Sequence, residues 1–209
     1  MSNSQVLRDI SHYLRQLLLD GLSGEDAIGS GTIALDQISL ASPAQLNENN
    51  GGGGSTSQPI LSFYLYQAIP NGQLNNRAPI SLGGGKLHYP PLSLNLFYLL
   101  VPLGATPEAD LLILGRAMQV LAAAPIIRAN FLDSQLRPES PEVRLTLNSL
   151  NLEEMTRIWN AFNQPYRLSV CYQVQVVSID SIRLPEDGPA VTEQLVDVHQ
   201  IVARNGGTL

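Results

Sequence analysis

From Val6 to Leu19 the apolar residues Val6, Ile10, Tyr13, Leu14, Leu17 and Leu18 recur at spacings of three and four, with Arg8, Asp9, Arg15 and Gln16 between them. That periodicity predicts an amphipathic helix, with Gly21 as its stop. Gly31–Leu40 then alternates, with Ile33, Leu35, Gln37 and Ser39 on one side and Ala34, Asp36, Ile38 and Leu40 on the other, which predicts a strand closed by Ser42-Pro43. Ile60–Ile69 reads as a strand rich in aromatic and apolar residues. Leu92–Val101 begins with alternation and ends almost wholly apolar, so its second half is expected to be buried on both faces.

Thr106-Pro107-Glu108 combines an N-cap, a proline at the first helical position and an acid in the first turn. The helix it opens is expected to run to about Ala123 and stop before Pro125, with a short strand at Ile126-Ile127. Val143–Leu147 alternates as a strand. Asn151-Leu152-Glu153-Glu154 places a cap three residues before an acid, starting a helix through Met155, Ile158, Trp159 and Phe162 that Pro165 ends. Leu168–Ile182 is the longest strand candidate, and after a Pro185–Gly188 turn Val191–Val202 alternates again. Helices and strands in this order predict an α+β fold: a largely antiparallel, mixed sheet flanked by about three helices.

Two soft segments interrupt the pattern. Asn47–Gln58 includes four consecutive glycines and lacks the apolar surface to fold on, so it is read as a flexible loop. Pro70–Tyr89, with Asn-Gly, Asn-Asn and Gly-Gly-Gly, is read as turn-rich and exposed. The strand between them is therefore expected to sit in a projecting excursion. The whole chain, 1–209, is read as one domain carrying a flexible glycine-rich excursion at about 47–89.

Composition changes the picture mainly by exclusion. Only 14% of residues are charged, against the usual ~25%, which points to a surface partly covered by other subunits. The net charge is −6 and Lys86 is the only lysine, which argues against a nucleic-acid-binding face. The other cations are arginines, suited to planar ion pairs with carboxylates. A single cysteine, Cys171, excludes an internal disulfide framework and sits in an alternating apolar run, as a buried small hydrophobe would. Met1–Gln5 lacks the basic and apolar regions of a secretory leader, and no stretch reaches the ~20 apolar residues of a membrane span. Synthesis in a reducing cytoplasm is expected, without direct membrane insertion.

Catalytic constellations are missing from the sequence. His12, His88 and His199 stand far apart, at no metal-binding spacing. Gly83-Gly84-Gly85-Lys86 fails as a phosphate loop, because Ile80 occupies the first glycine position and Leu87 the hydroxyl position. Glu153 and Glu154 are adjacent, so a helix points them about 100° apart, and capping accounts for Glu154. No enzyme activity, cofactor or metal is expected. Apolar helices and long strands instead suit an assembly protein, whose sheet edges can accept a partner's strand.

Three blocks carry a resemblance: Leu111–Leu121, Leu145–Trp159 and Pro165–Val174. In this order they resemble the cap, or tail-terminator, family of contractile injection systems, the phage tail-like particles. The first helix and Tyr98–Val101 match as well, and Asn47–Tyr89 does not. The resemblance implies a hexameric ring of this chain at the end away from the baseplate. Such a ring stops inner-tube growth and holds the last sheath layer, with sheath protein and inner-tube protein as partners. The shared blocks make Arg116, Glu154, Arg157, Trp159, Tyr166 and Arg167 candidate interface residues. For Trp159 and for Arg157 beside Glu153 or Glu154, packing and pairing inside the domain compete with that role. Another tail component, in the tube or baseplate, or a strand-accepting binding module is the alternative reading.

Overall fold

The computed structural model describes residues 5–23, 37–49, 58–81, 86–127, 142–179, 181, 183 and 186–187. In chain order the elements are α1 (Val6–Leu22), β1 (Ile38–Ser39), α2 (Pro43–Asn49), β2 (Leu61–Pro70), β3 (Ile80–Ser81), β4 (Lys86–His88), β5 (Leu92–Pro102), α3 (Pro107–Ala123), β6 (Ile126–Ile127), β7 (Val143–Asn148), α4 (Leu152–Ala161), β8 (Val170–Ile179) and β9 (Glu186–Asp187). A six-stranded sheet runs β1-β2-β5-β8-β7-β6, and β3-β4-β9 form a small second sheet. Among the described strands only β1 and β2 are parallel; every other pairing is antiparallel. This is the α+β architecture with a largely antiparallel mixed sheet that the alternation predicts, with α2 as an additional short helix.

β5 lies at the centre and divides two cores. Leu94, Leu96, Tyr98 and Leu100 face a large core closed by α1 and α3, while Leu99 and Val101 face a smaller one closed by Met155 and Trp159 of α4. All four residues from Tyr98 to Val101 are fully buried, as the apolar run predicts. α1 contributes Val6, Ile10, Leu14, Leu18 and Leu22 at steps of four, one ridge of a helix. Across the large core the rings of Phe63 and Tyr98 stack 4.7 Å apart. The Tyr98 hydroxyl shares a 2.8 Å hydrogen bond with Ser11 on α1, so the buried phenol keeps a polar partner.

Both predicted helix starts are present. The Thr106 hydroxyl accepts from the Ala109 N–H at 3.2 Å, with Pro107 at the first helical position. Asn151 and Glu154 exchange bonds of 2.8 and 2.9 Å, the reciprocal arrangement that satisfies two free N–H groups at once. α4 ends at Ala161, before Pro165, through Asn163 in the left-handed region at φ 54°, where asparagine is tolerated.

Three expectations are corrected and a fourth is met as far as the described residues reach. β2 does not project. It sits inside the main sheet between β1 and β5, because Leu61 and Phe63 are core residues and β5 offers a full-length partner. Residues 47–49 belong to α2 rather than to a loop. Ser42 and Gln45 exchange bonds of 3.1 and 3.3 Å ahead of it, so Ser42-Pro43-Ala44-Gln45 is a capping box; residues 50–57 lie outside the described part. The strand expected over Gly31–Leu40 is seen as Ile38–Ser39, residues 31–36 being outside the described part. Glu186-Asp187, expected in a turn, pair with β4, and Ile80-Ser81 with its other side; backbone pairing in so short a ladder depends little on side-chain type. The predicted Val191–Val202 strand lies outside the described residues.

Candidate functional site

Where β7 ends and α4 begins, the chain turns over the end of the sheet. Asn148–Leu150 leave β7, the Asn151 cap fixes the start of α4, and residues 165–169 return beneath it to enter β8. A cleft of about 360 Å³ opens there, lined in part by Leu147, Leu152, Met155, Tyr166, Ser169 and Cys171. Large apolar side chains stand exposed around it: Leu147 is 50% exposed, Leu152 68% and Tyr166 46%, and neighbouring Leu168 is 44% exposed. Large apolar side chains grouped on a surface mark a contact site more often than a solvated one.

The cleft floor is fixed from below. The buried Trp159 donates its indole N–H to Ser169 Oγ at 3.0 Å, and Ser169 donates to the Arg167 carbonyl at 3.1 Å. Cys171 Sγ lies 3.0 Å from the Tyr66 hydroxyl and 3.7 Å from Asn148 Nδ2. Burial pushes the Cys171 thiol above its ordinary value, against the opposing pull of Tyr66 and Asn148. Burial, and then the Cys171 neighbour, push the Tyr66 hydroxyl up as well. Both groups are therefore protonated at neutral pH, and the pair offers no activated nucleophile. Among the described residues no three His, Cys, Asp or Glu side chains gather closely enough to hold a metal ion.

The structure separates the six sequence-predicted interface residues. Trp159 is 1% exposed and belongs to the small core. Glu154 is occupied in the α4 cap. Arg116 donates to the Gly21 carbonyl at 3.1 Å and ties α3 to α1. Arg157 is solvent-facing, in an i,i+4 pair with Glu153. Arg167 reaches Asp110 at 3.7 Å, linking the strand-entry segment to the first turn of α3. Only Tyr166 lines the cleft. The apolar rim residues Leu147, Leu152 and Leu168 were not among the candidates, because alternation and helix periodicity place leucine in a core by default. Helical spacing places Leu152 on the face of Met155 and Trp159, three and seven residues on, so its position directly after the cap is the one signal that it could lie beyond the core.

The family model described as the Pvc16 N-terminal domain matches residues 9–193. No curated protein sequence matches the chain significantly. Two solved structures share the fold. One is described as the sheath/tube terminator of an extracellular contractile injection system, PVC, in its extended state. It is 17% identical, with a TM-score of 0.56 over 93% of this chain. The other is the tube-terminating cap of the anti-feeding prophage, 15% identical, with a TM-score of 0.54 over 90% of this chain. This chain spans 64% and 60% of the length of those two proteins.

Proposed function

The chain belongs to the Pvc16 N-terminal domain family, and from that premise we propose that it is the structural cap of a contractile injection system. It forms a hexameric ring at the end away from the baseplate, stops growth of the inner tube and anchors the last sheath layer. Its partners are further copies of itself, the sheath protein and the inner-tube protein, and its place is within the assembled particle. The observation that carries this reading is the fold shared over nearly the whole chain with two tube terminators, together with the family match.

The chemistry is consistent with a role that needs binding alone. Ending a polymer requires a subunit that fits the growing end and offers no further end of the same kind. A closed ring satisfies every lateral contact, and growth ends when the ring's outer face lacks the docking surface that its inner face matches. The exposed leucines beside Tyr166 supply apolar contact area without charge to desolvate. No catalytic role is needed. No helix among the described residues is long and apolar enough to cross a membrane.

Deleting the gene and imaging particles by electron microscopy tests the proposal. Overlong bare tubes and unstable sheaths are the expected result, restored to uniform extended particles by the intact gene. Particles of normal, uniform length in the deletion strain would overturn it. Labelled chain found at the baseplate end would instead assign it to another tail component.

A further inference from the structure

The two faces of the six-stranded sheet are covered very unequally. Among the described residues twenty-two buried hydrophobic side chains form the large core and four form the small one. α1 and α3 each sink a full stripe of side chains into the large core. α4 sits more lightly on the other face. Of residues 151–168 only Met155 and Trp159 are buried, while Leu152, Glu153, Glu154, Arg157, Asn160 and Ala161 of the helix are exposed. Ile158 and Phe162 pack half-buried beside the two anchors.

The sheet face beneath α4 is a row across four strands. Leu99 of β5 pairs with Tyr64 of β2 and with Cys171 of β8, and Cys171 pairs with Asn148 of β7. Directly paired residues share a face. Leu99 packs against Met155 and Trp159, and the Phe162 ring meets Tyr64 edge-on at 5.7 Å. Polar ties from the α4 segment to the rest of the fold include Trp159 to Ser169 at 3.0 Å and the partly exposed Arg167 to Asp110 at 3.7 Å. Backbone bonds close within the segment, from the Met155 N–H to the Asn151 carbonyl at 3.0 Å and from the Gln164 N–H to the Trp159 carbonyl at 3.3 Å. Its two ends, 149–150 and 163–169, lie outside any helix or strand.

We propose that residues 149–168 form a strap that lifts from the sheet as one unit while the large core stays folded, uncovering Leu99, Val101 and Cys171. Stability is spread unevenly through a fold, and segments with few buried contacts open well below global unfolding. Lifting the strap gives up the four-residue core, whereas unfolding the rest gives up the twenty-two-residue one. β5 keeps its pairing with β2 and β8 throughout, so the sheet stays whole. A ten-residue helix is marginal in water by itself, so the α4 amides exchange whenever the strap is up. The device is intrinsic to the chain and holds whether or not the chain is a cap.

Cys171 is the chain's only thiol and is 2% exposed, so its labelling by an aromatic disulfide reagent reports the opening in the purified full-length chain. Labelling is expected to be much slower than for a free thiol, yet complete well below the urea midpoint, with roughly half or less of the urea dependence of global unfolding. Ile158 packs against the small core and does not line the cleft, so Ile158→Ala loosens the strap without opening a path to the thiol and should speed labelling about tenfold. Ile10→Val destabilises the large core and should leave the rate unchanged. A rate that rises in Ile10→Val as far as the unfolding equilibrium does would mean that the thiol is reached only by global unfolding. Labelling at the free-thiol rate would mean that the cleft itself admits the reagent. Either result, or an unchanged rate in Ile158→Ala, overturns the strap. Hydrogen exchange gives a second readout: the Met155–Ala161 amides should exchange about a hundredfold or more faster than those of Leu14–Leu18 in α1, and equal protection in the two helices overturns the proposal.

Discussion

α1 and α3 pack tightly at Gly21, and its replacement by alanine gives a prediction whose size depends on the neighbour. A Cβ built at Gly21 would overlap Val120 Cγ2 outright and would stand 2.7 Å from Cγ1 and 3.0 Å from Cβ. Val120 is β-branched and stiff at χ1, so it cannot swing clear, and α1 must move away from α3. Overpacking of this kind costs ~1–3 kcal/mol. Displacement also strains the bond from Arg116 Nε to the Gly21 carbonyl. Against this, alanine gains up to ~1 kcal/mol of helix propensity over glycine, less so close to a helix end. The clash is the larger effect, so Gly21→Ala is expected to destabilise by ~1–2 kcal/mol. In a Val120→Ala background both Cγ contacts are gone and only the 3.0 Å approach to the retained Cβ is left, so Gly21→Ala is expected to be ~1–2 kcal/mol less costly there than in the wild type. Urea unfolding followed by circular dichroism on the four variants measures both differences, provided the m-value is unchanged. An equal cost in both backgrounds would refute the close-packing argument.

Three further outcomes follow from particular contacts. Ser169→Ala strips the buried Trp159 N–H of its partner and is expected to cost ~1–3 kcal/mol; because Trp159 is the only tryptophan, its fluorescence reports the change, and a loss below ~0.5 kcal/mol would contradict the assigned bond. Asn151→Ala breaks both halves of the α4 cap and should cost ~0.5–2 kcal/mol by urea unfolding, whereas Arg157→Ala removes an exposed pair and should fall within ~0.5 kcal/mol of wild type. Burial raises the Tyr98 hydroxyl from 10.0 to about 12, against the lowering effect of its Ser11 bond. An acid held neutral in the folded state stabilises fully below its unfolded value and loses that contribution as pH rises through the folded one. Stability is therefore expected to fall from about pH 10 to 12, and less steeply in Tyr98→Phe; equal slopes in the two proteins would show that Tyr98 is not responsible.

Much of this protein is decided by local sequence. The steps of four along α1, the Thr106-Pro107 and Asn151–Glu154 starts, and the unbroken apolar run at Tyr98–Val101 each specify an element through interactions within a few residues. The apolar run even announces a strand buried on both faces, because only a central strand has two faces to bury. The α2 start was equally legible in Ser42-Pro43-Ala44-Gln45, whose capping box competes with a glycine-rich neighbourhood that reads as loop. The sequence blocks also pointed to the right family without a catalytic motif, since packing residues at element junctions can be as distinctive as a site.

Tertiary structure decided what surrounds those elements. Strand order is a matter of partners far apart in sequence, so nothing local placed β2 beside β5 instead of in a projecting excursion. Side-chain fate is likewise non-local. Trp159 and Arg116 became internal because the Ser169 hydroxyl and the Gly21 carbonyl arrive from distant segments. Leu147 and Leu152 became surface residues because the sheet ends where α4 begins, and no described element covers them. Alternation and periodicity determine which face of an element a residue occupies. Only the assembled fold determines whether that face meets a core, water or another molecule.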